Sequence, residues 1–318
     1  MSIAEKIKQR IPFTNEDNFI DSSLIAFEYQ YHHNPVYQSY CNYLSKTPKS
    51  VDRLEEIPFL PIEFFKNHAV KTGSWNTTKI FKSSGTTSSS RSQHAIKDLE
   101  FYHQTAKNCF EDQFGPLDEF QIIALLPSYQ EQGDSSLISM VDYFMNFSRR
   151  DSGYFLDREI REIISGSHKK LLFGVSYALL DLAESELRLE NTLVMETGGM
   201  KGRRKEITRG ELHSILKHSF GVEKIWSEYG MTELQSQGYG ANGEFIMPGW
   251  ANCLVRDLND PFSYVEEGVT GGINIIDLVN IDTCSFIETK DLGRKNGGFF
   301  EVLGRFDNSD IRGCNLMI

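Results

Sequence analysis

The sequence lacks the marks of several protein classes. It has 33 Lys and Arg residues against 44 Asp and Glu residues, so it shows no basic excess of the kind that nucleic-acid-binding proteins set against phosphates. No apolar run approaches the roughly 20 residues that cross a bilayer, and the first residues contain no apolar segment of signal-peptide type. We therefore expect a cytoplasmic protein with no membrane span and no nucleic-acid partner.

Cysteine is sparse and scattered, and two common motifs are missing. The five cysteines include no Cys-x-x-Cys pair, which excludes the usual zinc pattern and argues for a reducing compartment rather than a disulfide framework. No Gly-x-x-x-x-Gly-Lys sequence is present, so any phosphate site is not a Walker A loop. We expect Cys41, Cys109, Cys253 and Cys284 to be packing residues.

Short apolar runs separated by helical patterns fill the middle of the chain. The runs lie at 122–126, 171–175, 193–195 and 222–226. A helical face is predicted from Ile96 to Phe110, before the first run. A second helix follows the run at 171–175 and continues to about Leu189, and Thr208 with Glu211 forms a capping box before the fourth run. Such alternation predicts an α/β fold with a parallel sheet layered with helices.

The helical periodicity fades after about residue 250. Strand-like runs at 273–278, 285–288 and 299–303 are separated by Gly and Asn turns, which predicts a β-rich C-terminal subdomain. We expect a single core over 1–318, with an α/β part and helical N-terminal region over 1–248 and the β-rich part over 249–318.

A loop rich in hydroxyl side chains precedes the first helical pattern. Residues 83–92, here called the hydroxyl loop, read Ser-Ser-Gly-Thr-Thr-Ser-Ser-Ser-Arg-Ser. Backbone N–H groups and hydroxyls of such a loop can surround phosphate oxygens, while Arg91 supplies charge. Taken alone, a Ser/Thr-rich loop is more often a plain connector.

Two glycine-bearing turns follow the third and fourth apolar runs. Residues 196–199 read Glu-Thr-Gly-Gly, and residues 227–233, here called the heptapeptide, read Ser-Glu-Tyr-Gly-Met-Thr-Glu. Ligands of parallel sheets bind beyond the carboxyl ends of the strands, so both turns border one crevice if the two strands are neighbours. Tyr229 could then stack on a base, Thr232 contact phosphate and Glu233 hold Mg²⁺. The alternative is that Tyr229 is a core residue and Glu233 an exposed acid.

Together, the hydroxyl loop and the heptapeptide resemble the phosphate loop and the Tyr-Gly-x-Thr-Glu motif of adenylate-forming enzymes, the acyl-CoA synthetase and luciferase superfamily. The resemblance implies their large-domain fold, with ATP and Mg²⁺ as cofactors. It also implies an adenine-side turn at Gly198-Gly199, a ribose-gripping aspartate at Asp291 and a hinge arginine at Arg305. Arg91 and Thr232 are the implied catalytic residues of the core, and Glu233 the metal ligand. The implied nucleotide-binding residues are Ser83, Ser84, Gly85, Thr86, Thr87, Gly198, Gly199, Glu228, Tyr229, Gly230, Met231, Thr232, Asp291 and Arg305.

The sequence departs from the superfamily at two places. The phosphate loop usually carries a lysine, where Arg91 stands nearby instead. Most of these enzymes continue past the hinge into a small domain with a lysine that assists adenylation, and we expect that domain to be absent here.

A narrower resemblance is to the acyl-protein synthetases of luminous bacteria. The segment 57–66 looks like their N-terminal region, and Cys314 stands where they carry an acyl-accepting cysteine. The resemblance implies ATP-dependent activation of a fatty acid and transfer to Cys314, whose pKa Arg312 could lower. It also implies an acyl-accepting reductase or carrier protein as partner.

Three alternatives stay open at this point. Coenzyme A or a carrier-protein thiol could take the acyl group instead of Cys314. The sequence Gly174-Val-Ser176-Tyr-Ala178 is close to the nucleophile elbow of a hydrolase, although the later histidines, His213 and His218, both lie in a predicted helix. The chain could also be a degenerate nucleotide-binding module of a larger assembly.

Overall fold

The computed structural model describes residues 3–83, 91–126, 133–155, 159–160, 163–164, 166–185, 187–198, 204–205 and 207–306. The chain divides into two compact units. One, the discontinuous unit, comprises Met1–Ser74 and Gly249–Ile318; the other, the central unit, comprises Trp75–Pro248. The boundary after residue 248 is where the β-rich part was expected to begin, whereas the first 74 residues group with the C-terminal strands.

The described helices and strands alternate through the central unit, and strands dominate after it. The helices are α1 (Ile3–Arg10), α2 (Glu16–His33), α3 (Pro35–Tyr43), α4 (Phe64–Asn67), α5 (Leu99–Phe114), α6 (Ser136–Phe147), α7 (Ser176–Ala183) and α8 (Arg209–Phe220). The strands are β1 (Leu60–Pro61), β2 (Lys79–Lys82), β3 (Gln93–Ile96), β4 (Phe120–Leu125), β5 (Gly153–Tyr154), β6 (Lys169–Val175), β7 (Thr192–Thr197), β8 (Ile225–Tyr229), β9 (Gly238–Ala241), β10 (Glu244–Ile246), β11 (Ala251–Arg256), β12 (Gly271–Asp277), β13 (Phe286–Asn296) and β14 (Phe299–Arg305).

The central unit is built on a mostly parallel sheet. Its strand order is β5-β4-β6-β7-β8-β9-β10, parallel from β5 to β8 and antiparallel at β9 and β10. All of β4 is buried, as expected for a strand covered on both faces. The predicted parallel sheet is therefore confirmed. Four of its strands, β4, β6, β7 and β8, correspond to the four apolar runs, whereas β5 was not predicted. The strand in the fourth run, β8, begins at Ile225, which is later than predicted. The preceding helix α8 extends to Phe220 and ends at Gly221, which has a positive φ of 69°.

Local capping explains where the helices of the central unit begin. The Thr208 hydroxyl accepts from Glu211 N–H, and the Glu211 carboxylate accepts from Thr208 N–H, which confirms the capping box at the start of α8. The helix predicted from Ile96 begins instead at Leu99, because the Asp98 side chain accepts a hydrogen bond from Phe101 N–H and Ile96 belongs to β3.

The hydroxyl loop connects two antiparallel strands. β2 and β3 form a separate hairpin with Lys82 opposite Gln93. Ser83 N–H donates to the Ser92 carbonyl at 3.1 Å, so the hairpin pairing continues to the loop's base. Sequence reasoning placed this loop directly before a helix, and β3 is the element it missed.

The discontinuous unit carries an antiparallel sheet in the order β11-β12-β13-β14, with β1 parallel to the start of β13. The three predicted strands correspond to β12, β13 and β14, while β11 was not predicted. The N-terminal helices join this unit through buried polar contacts. Gln30 of α2 donates to the Asn280 carbonyl at 3.0 Å, and Asn34 donates to the Thr283 carbonyl at 2.8 Å.

The described cysteines are buried, in keeping with a packing role. Within the described residues, no helix combines the length and apolar character that a membrane crossing requires.

Candidate functional site

The two glycine-bearing turns lie at one edge of the central sheet. β7 and β8 are neighbouring parallel strands, with Glu196 opposite Ser227. At their carboxyl ends, Thr197 Oγ1 donates a hydrogen bond of 2.6 Å to Glu228 Oε2. Gly198 follows directly with a positive φ of 71°, a conformation that glycine adopts without strain. The prediction that both turns border one crevice required β7 and β8 to be neighbours, and they are.

Glu228 is a perturbed acid at this edge. Burial, reinforced by the nearby charge of Glu196 and only partly offset by the Thr197 hydrogen bond, raises the pKa of Glu228 from 4.5 to about 7. A Cβ at Gly230 would overlap Glu228 Oε1, so glycine at position 230 is what allows the carboxyl group to take its place. Perturbed acids of this kind concentrate at functional sites.

Tyr229 is a buried side chain in this structure. Its residue is 7% exposed, and its ring lies 5.6 Å from that of Phe245 at a tilt of 53°. This is the packing of a core residue, and stacking of Tyr229 on a base stays a prediction. Gly230 is exposed, Met231 and Thr232 are half-buried, and Glu233 is buried.

His94 ties the hydroxyl-loop hairpin to the heptapeptide. Its Nδ1 lies 2.8 Å from the Thr232 carbonyl oxygen, which can only accept, so Nδ1 carries the proton. Burial lowers the pKa of His94 to about 4 against the opposing effect of this bond, so the ring is neutral near pH 7. The His94 side chain is fully buried on β3, where it holds the Thr232 backbone.

Arg91 fastens the base of the hydroxyl loop. Its guanidinium donates to both carboxylate oxygens of Asp134, at 3.1 and 3.2 Å, and to the Ser83 and Lys82 carbonyls. Although burial acts in the opposite direction, Arg91 and then Lys82 lower the pKa of Asp134. Arg91 therefore already has an anionic partner here, and its contact with phosphate stays a prediction. Ser84, Gly85, Thr86 and Thr87 lie outside the described residues.

A buried network lies beneath the Gly198 turn. Glu196, 2% exposed, accepts from Ser227 Oγ at 2.7 Å and lies 3.3 Å from Arg209 Nε and 3.6 Å from His213 Nε2. Despite burial, which acts upward, the His213 hydrogen bond and the Arg209 charge lower the pKa of Glu196. The network supports the turn from below.

Ser176 belongs to this network and is not displayed as a nucleophile. Its residue is 2% exposed, and its hydroxyl lies 3.1 Å from Glu196 Oε2 and 3.0 Å from the Gly198 carbonyl. The His213 ring contacts Ser227 instead, at 3.3 Å. A nucleophile elbow needs an exposed serine paired with a histidine, so the geometry argues against the hydrolase alternative.

In the discontinuous unit, the two predicted ribose residues are paired with each other. Asp291 and Arg305 are opposite one another on β13 and β14, and Arg305 Nε donates to Asp291 Oδ1 at 3.0 Å. Asp291 is 6% exposed, whereas the Arg305 side chain is 67% exposed. Their role at a ribose stays a prediction, and Gly199 and Cys314 lie outside the described residues.

The sequence matches no protein-family model and no curated protein, whereas the fold matches solved structures. ATP-bound MatB from Rhodopseudomonas palustris is 16% identical with a TM-score of 0.56, over 86% of this chain and 58% of that one. An open conformation of 2-hydroxyisobutyryl-CoA ligase in complex with 2-HIB-AMP and CoA is 11% identical with a TM-score of 0.67, over 93% and 72%. The fold is that of adenylate-forming enzymes. The chain spans a little over half the length of MatB.

Glu233 is the residue that the resemblance assigns to Mg²⁺. Among the residues that the structure describes, no group of three or more His, Cys, Asp or Glu side chains is arranged to hold a metal ion. A single carboxylate suits a Mg²⁺ ion that draws its other ligands from phosphates and water. Glu233 therefore fits the expected group, and the assignment stays a prediction.

Proposed function

We propose that this protein activates a carboxylic acid with ATP as an acyl-adenylate and then transfers the acyl group to a thiol. The observation that carries the proposal is the edge of the central sheet. There, neighbouring strands place the Gly198 turn beside the heptapeptide, and His94 joins the heptapeptide to the hairpin of the hydroxyl loop. The fold shared with ATP-bound MatB, and with 2-hydroxyisobutyryl-CoA ligase in complex with 2-HIB-AMP and CoA, supports the same conclusion.

Each part of the nucleotide has a proposed partner. The hydroxyl loop and the Thr232 hydroxyl hold the phosphates, while Tyr229 and the turn that begins at Gly198 hold the base. Asp291 and Arg305 take the ribose, and a carboxylate suits two adjacent hydroxyls because it can accept from both. Glu233 would hold Mg²⁺, whose charge offsets that of the phosphates when it is bound.

The reaction then has two balanced steps. An oxygen of the substrate carboxylate bonds to the α-phosphorus of ATP, the bond from that phosphorus to the β-phosphate oxygen breaks, and pyrophosphate leaves. A thiolate next bonds to the acyl carbon, the acyl–phosphate bond breaks and AMP leaves. Negative charge develops on phosphate oxygens in both steps, so backbone and hydroxyl donors fixed around them lower both barriers.

The thiol that we assign as acceptor is Cys314, as the resemblance to acyl-protein synthetases implies, with a fatty acid as substrate. Burial raises the pKa of Cys41 and of Cys253 to about 12 and also raises that of Cys284, which leaves these thiols protonated and unreactive. Coenzyme A is the second candidate, since one structural neighbour was solved with it.

Acid-dependent exchange of labelled pyrophosphate into ATP tests the first step without requiring an acceptor. We expect exchange with at least one of a panel of carboxylic acids, and a loss of at least about tenfold in Thr232→Ala, because one transition-state donor is removed. Thr192→Ala is the matched control, since the Thr192 hydroxyl only donates to the Glu190 carbonyl at the far end of β7. Absence of exchange with every acid would refute the proposal.

The acceptor is tested with labelled acid and Mg·ATP. We expect a hydroxylamine-labile label on the wild type and on Cys109→Ala, and none on Cys314→Ser. Label that persists unchanged in Cys314→Ser would refute this acceptor, and acid-dependent formation of acyl-CoA would establish coenzyme A in its place.

A further inference from the structure

The strand pairing around Asp291 contains a bulge. Asn274 of β12 lies opposite Glu288 of β13, and Gly272 lies opposite Leu292. Between these two pairs, one residue of β12 faces three residues of β13, and Asp291 is the last of the three. A bulge interrupts the regular ladder of hydrogen bonds and re-aims the side chains that it carries. The direction of the Asp291 carboxylate therefore depends on what holds the backbone of this bulge.

A buried arginine supplies hydrogen bonds to the bulge. Arg256 of β11 is 6% exposed, and its guanidinium donates to the carbonyls of Ile273 and Thr289, each at 2.8 Å. It also donates to Asn274 Oδ1 at 2.7 Å. The guanidinium lies across Gly272, where a Cβ would overlap it. One planar fork thus joins β11, β12 and β13, and the compact ammonium of a lysine does not reproduce that fork.

Thr289 carries this restraint to Asp291. Its hydroxyl donates to the Ile273 carbonyl at 2.8 Å and accepts from Asp291 N–H at 3.1 Å. The Ile273 carbonyl is therefore shared by Arg256 and Thr289, and the same hydroxyl fixes the Asp291 backbone. Thr289 is 1% exposed, so these bonds form away from water.

Arg256 also contacts the residue that follows Arg305. The ring of Phe306 lies 5.8 Å from Arg256 Cζ, which is within the range of a cation–π contact. Phe306 N–H donates to the carbonyl of Lys290, the middle residue of the bulge, at 2.8 Å. Arg256 therefore acts on both sides of the Asp291–Arg305 pair.

The close acceptors of Arg256 are neutral. The nearby carboxylate of Glu288 lies 3.6 Å from Nη2, which is too far for a hydrogen bond. Burial lowers the pKa of Arg256 and raises that of Glu288, because both charged groups lose hydration. Burying a guanidinium at this cost adds little net stability, so its hydrogen bonds are better explained by the geometry that they define.

We propose that Arg256 is a positioning residue that holds Asp291 in the direction required by the ribose hydroxyls of ATP. The proposal rests on the proposed function, in which Asp291 accepts from both hydroxyls. Arg256 itself touches no part of the nucleotide and acts through the Ile273 carbonyl and Thr289. Its loss should weaken recognition of the ribose, and so raise the KM for ATP more than it lowers kcat.

Nucleotides that lack one ribose hydroxyl measure this recognition directly. In pyrophosphate exchange with an accepted acid, we expect the wild type to prefer ATP over at least one of 2′-deoxy-ATP and 3′-deoxy-ATP. The preference in kcat/KM should be about tenfold or more, because a missing hydroxyl leaves an acceptor of the site unpaired. Asp291→Ala should bring this ratio close to unity. Because the ratio compares two nucleotides on one protein sample, the fraction of folded protein cancels.

Variants then assign the preference to residues. Arg256→Met and Arg256→Lys should lower the ratio about fivefold or more, since neither side chain keeps the fork that orients Asp291. Thr289→Val removes the linking hydroxyl and should do the same, whereas Thr289→Ser keeps the hydroxyl and should retain the wild-type ratio. Arg294→Met is the matched control, because Arg294 lies on the same strand as Asp291 and its guanidinium pairs with Glu301 instead, at 2.8 Å.

One result overturns the proposal on its own. If folded Arg256→Met and Arg256→Lys keep the wild-type ratio while Asp291→Ala loses it, Arg256 only stabilises the strands. Thermal unfolding shows which variants are folded, and the Thr289 pair provides the same test if Arg256→Met does not fold. Failure of the proposed function would look different and would overturn both, because no acid would support exchange, or Asp291→Ala would leave the ratio unchanged.

Discussion

Replacing Glu228 by Gln should make the protein more stable at high pH and not at low pH. Glu228 has a folded-state pKa of about 7 against an ordinary value of 4.5. Because each pH unit of such a difference is worth about 1.4 kcal/mol, holding the ionised carboxyl in the fold costs roughly 3 kcal/mol. Gln keeps an oxygen that accepts from Thr197 and carries no charge at any pH.

The sign follows from proton binding. Between about pH 4.5 and 7, the folded protein holds the Glu228 proton more tightly than the unfolded chain does, so the free energy of unfolding falls as pH rises through this window. The contribution of Glu228 to the free energy of unfolding is fully present below about pH 4.5 and is lost above about pH 7. The stability of Glu228→Gln relative to the wild type should therefore increase by about 3 kcal/mol between pH 4.5 and pH 8.

Equilibrium urea denaturation at a series of pH values measures this difference. Trp226 lies in β8, two residues from Glu228, so its fluorescence reports on the strand concerned. Glu223→Gln is the matched control, because it makes the same chemical change at an exposed carboxyl. The reasoning would be refuted if the stability of Glu228→Gln relative to the wild type stayed constant, or decreased, as the pH rises.

Three further substitutions test other parts of the structure. Gly240→Ala should lower stability by about 2 kcal/mol or more in urea denaturation, because its Cβ would overlap the Glu244 carbonyl oxygen across the β9–β10 pair. Thr208→Ala should cost about 1 kcal/mol by the same measurement, since it removes the cap of α8. Asp134→Ala removes the carboxylate that holds Arg91 at the base of the hydroxyl loop, and we expect the KM for ATP in pyrophosphate exchange to rise about tenfold. An unchanged KM would show that this contact does not prepare the loop for phosphate.

Much of the central unit follows from local patterns. Buried parallel strands are continuous apolar runs, so 122–126, 171–175 and 193–195 mark β4, β6 and β7 without knowledge of their partners. Caps are equally local, since Thr208 and Glu211 contact each other over three residues. The glycine-bearing turns lie at one edge of the sheet because parallel strands end on the same side, and their position could be predicted for that reason.

Long-range contacts explain what the sequence did not reveal. Gln93–Ile96 is too short to show a period, and only pairing with β2 makes it a strand. His94 gave no sign of burial, because its partner at Thr232 is 138 residues away. Arg91 contacts Asp134, which is 43 residues away, and the hydroxyl-rich loop gave no sign of that contact. No local pattern encodes such pairs.

The most direct test of the central claim is the identity of the products formed from ATP and an accepted acid in the absence of any thiol acceptor. With Cys314→Ser and a carboxylate labelled with ¹⁸O, mass spectrometry should detect acyl-AMP and pyrophosphate in equal amounts, and AMP released by added thiol should carry one labelled oxygen. Formation of ADP and phosphate, or AMP without label, would contradict the account, because the bond broken in ATP would then not be the one that acyl-adenylate formation requires.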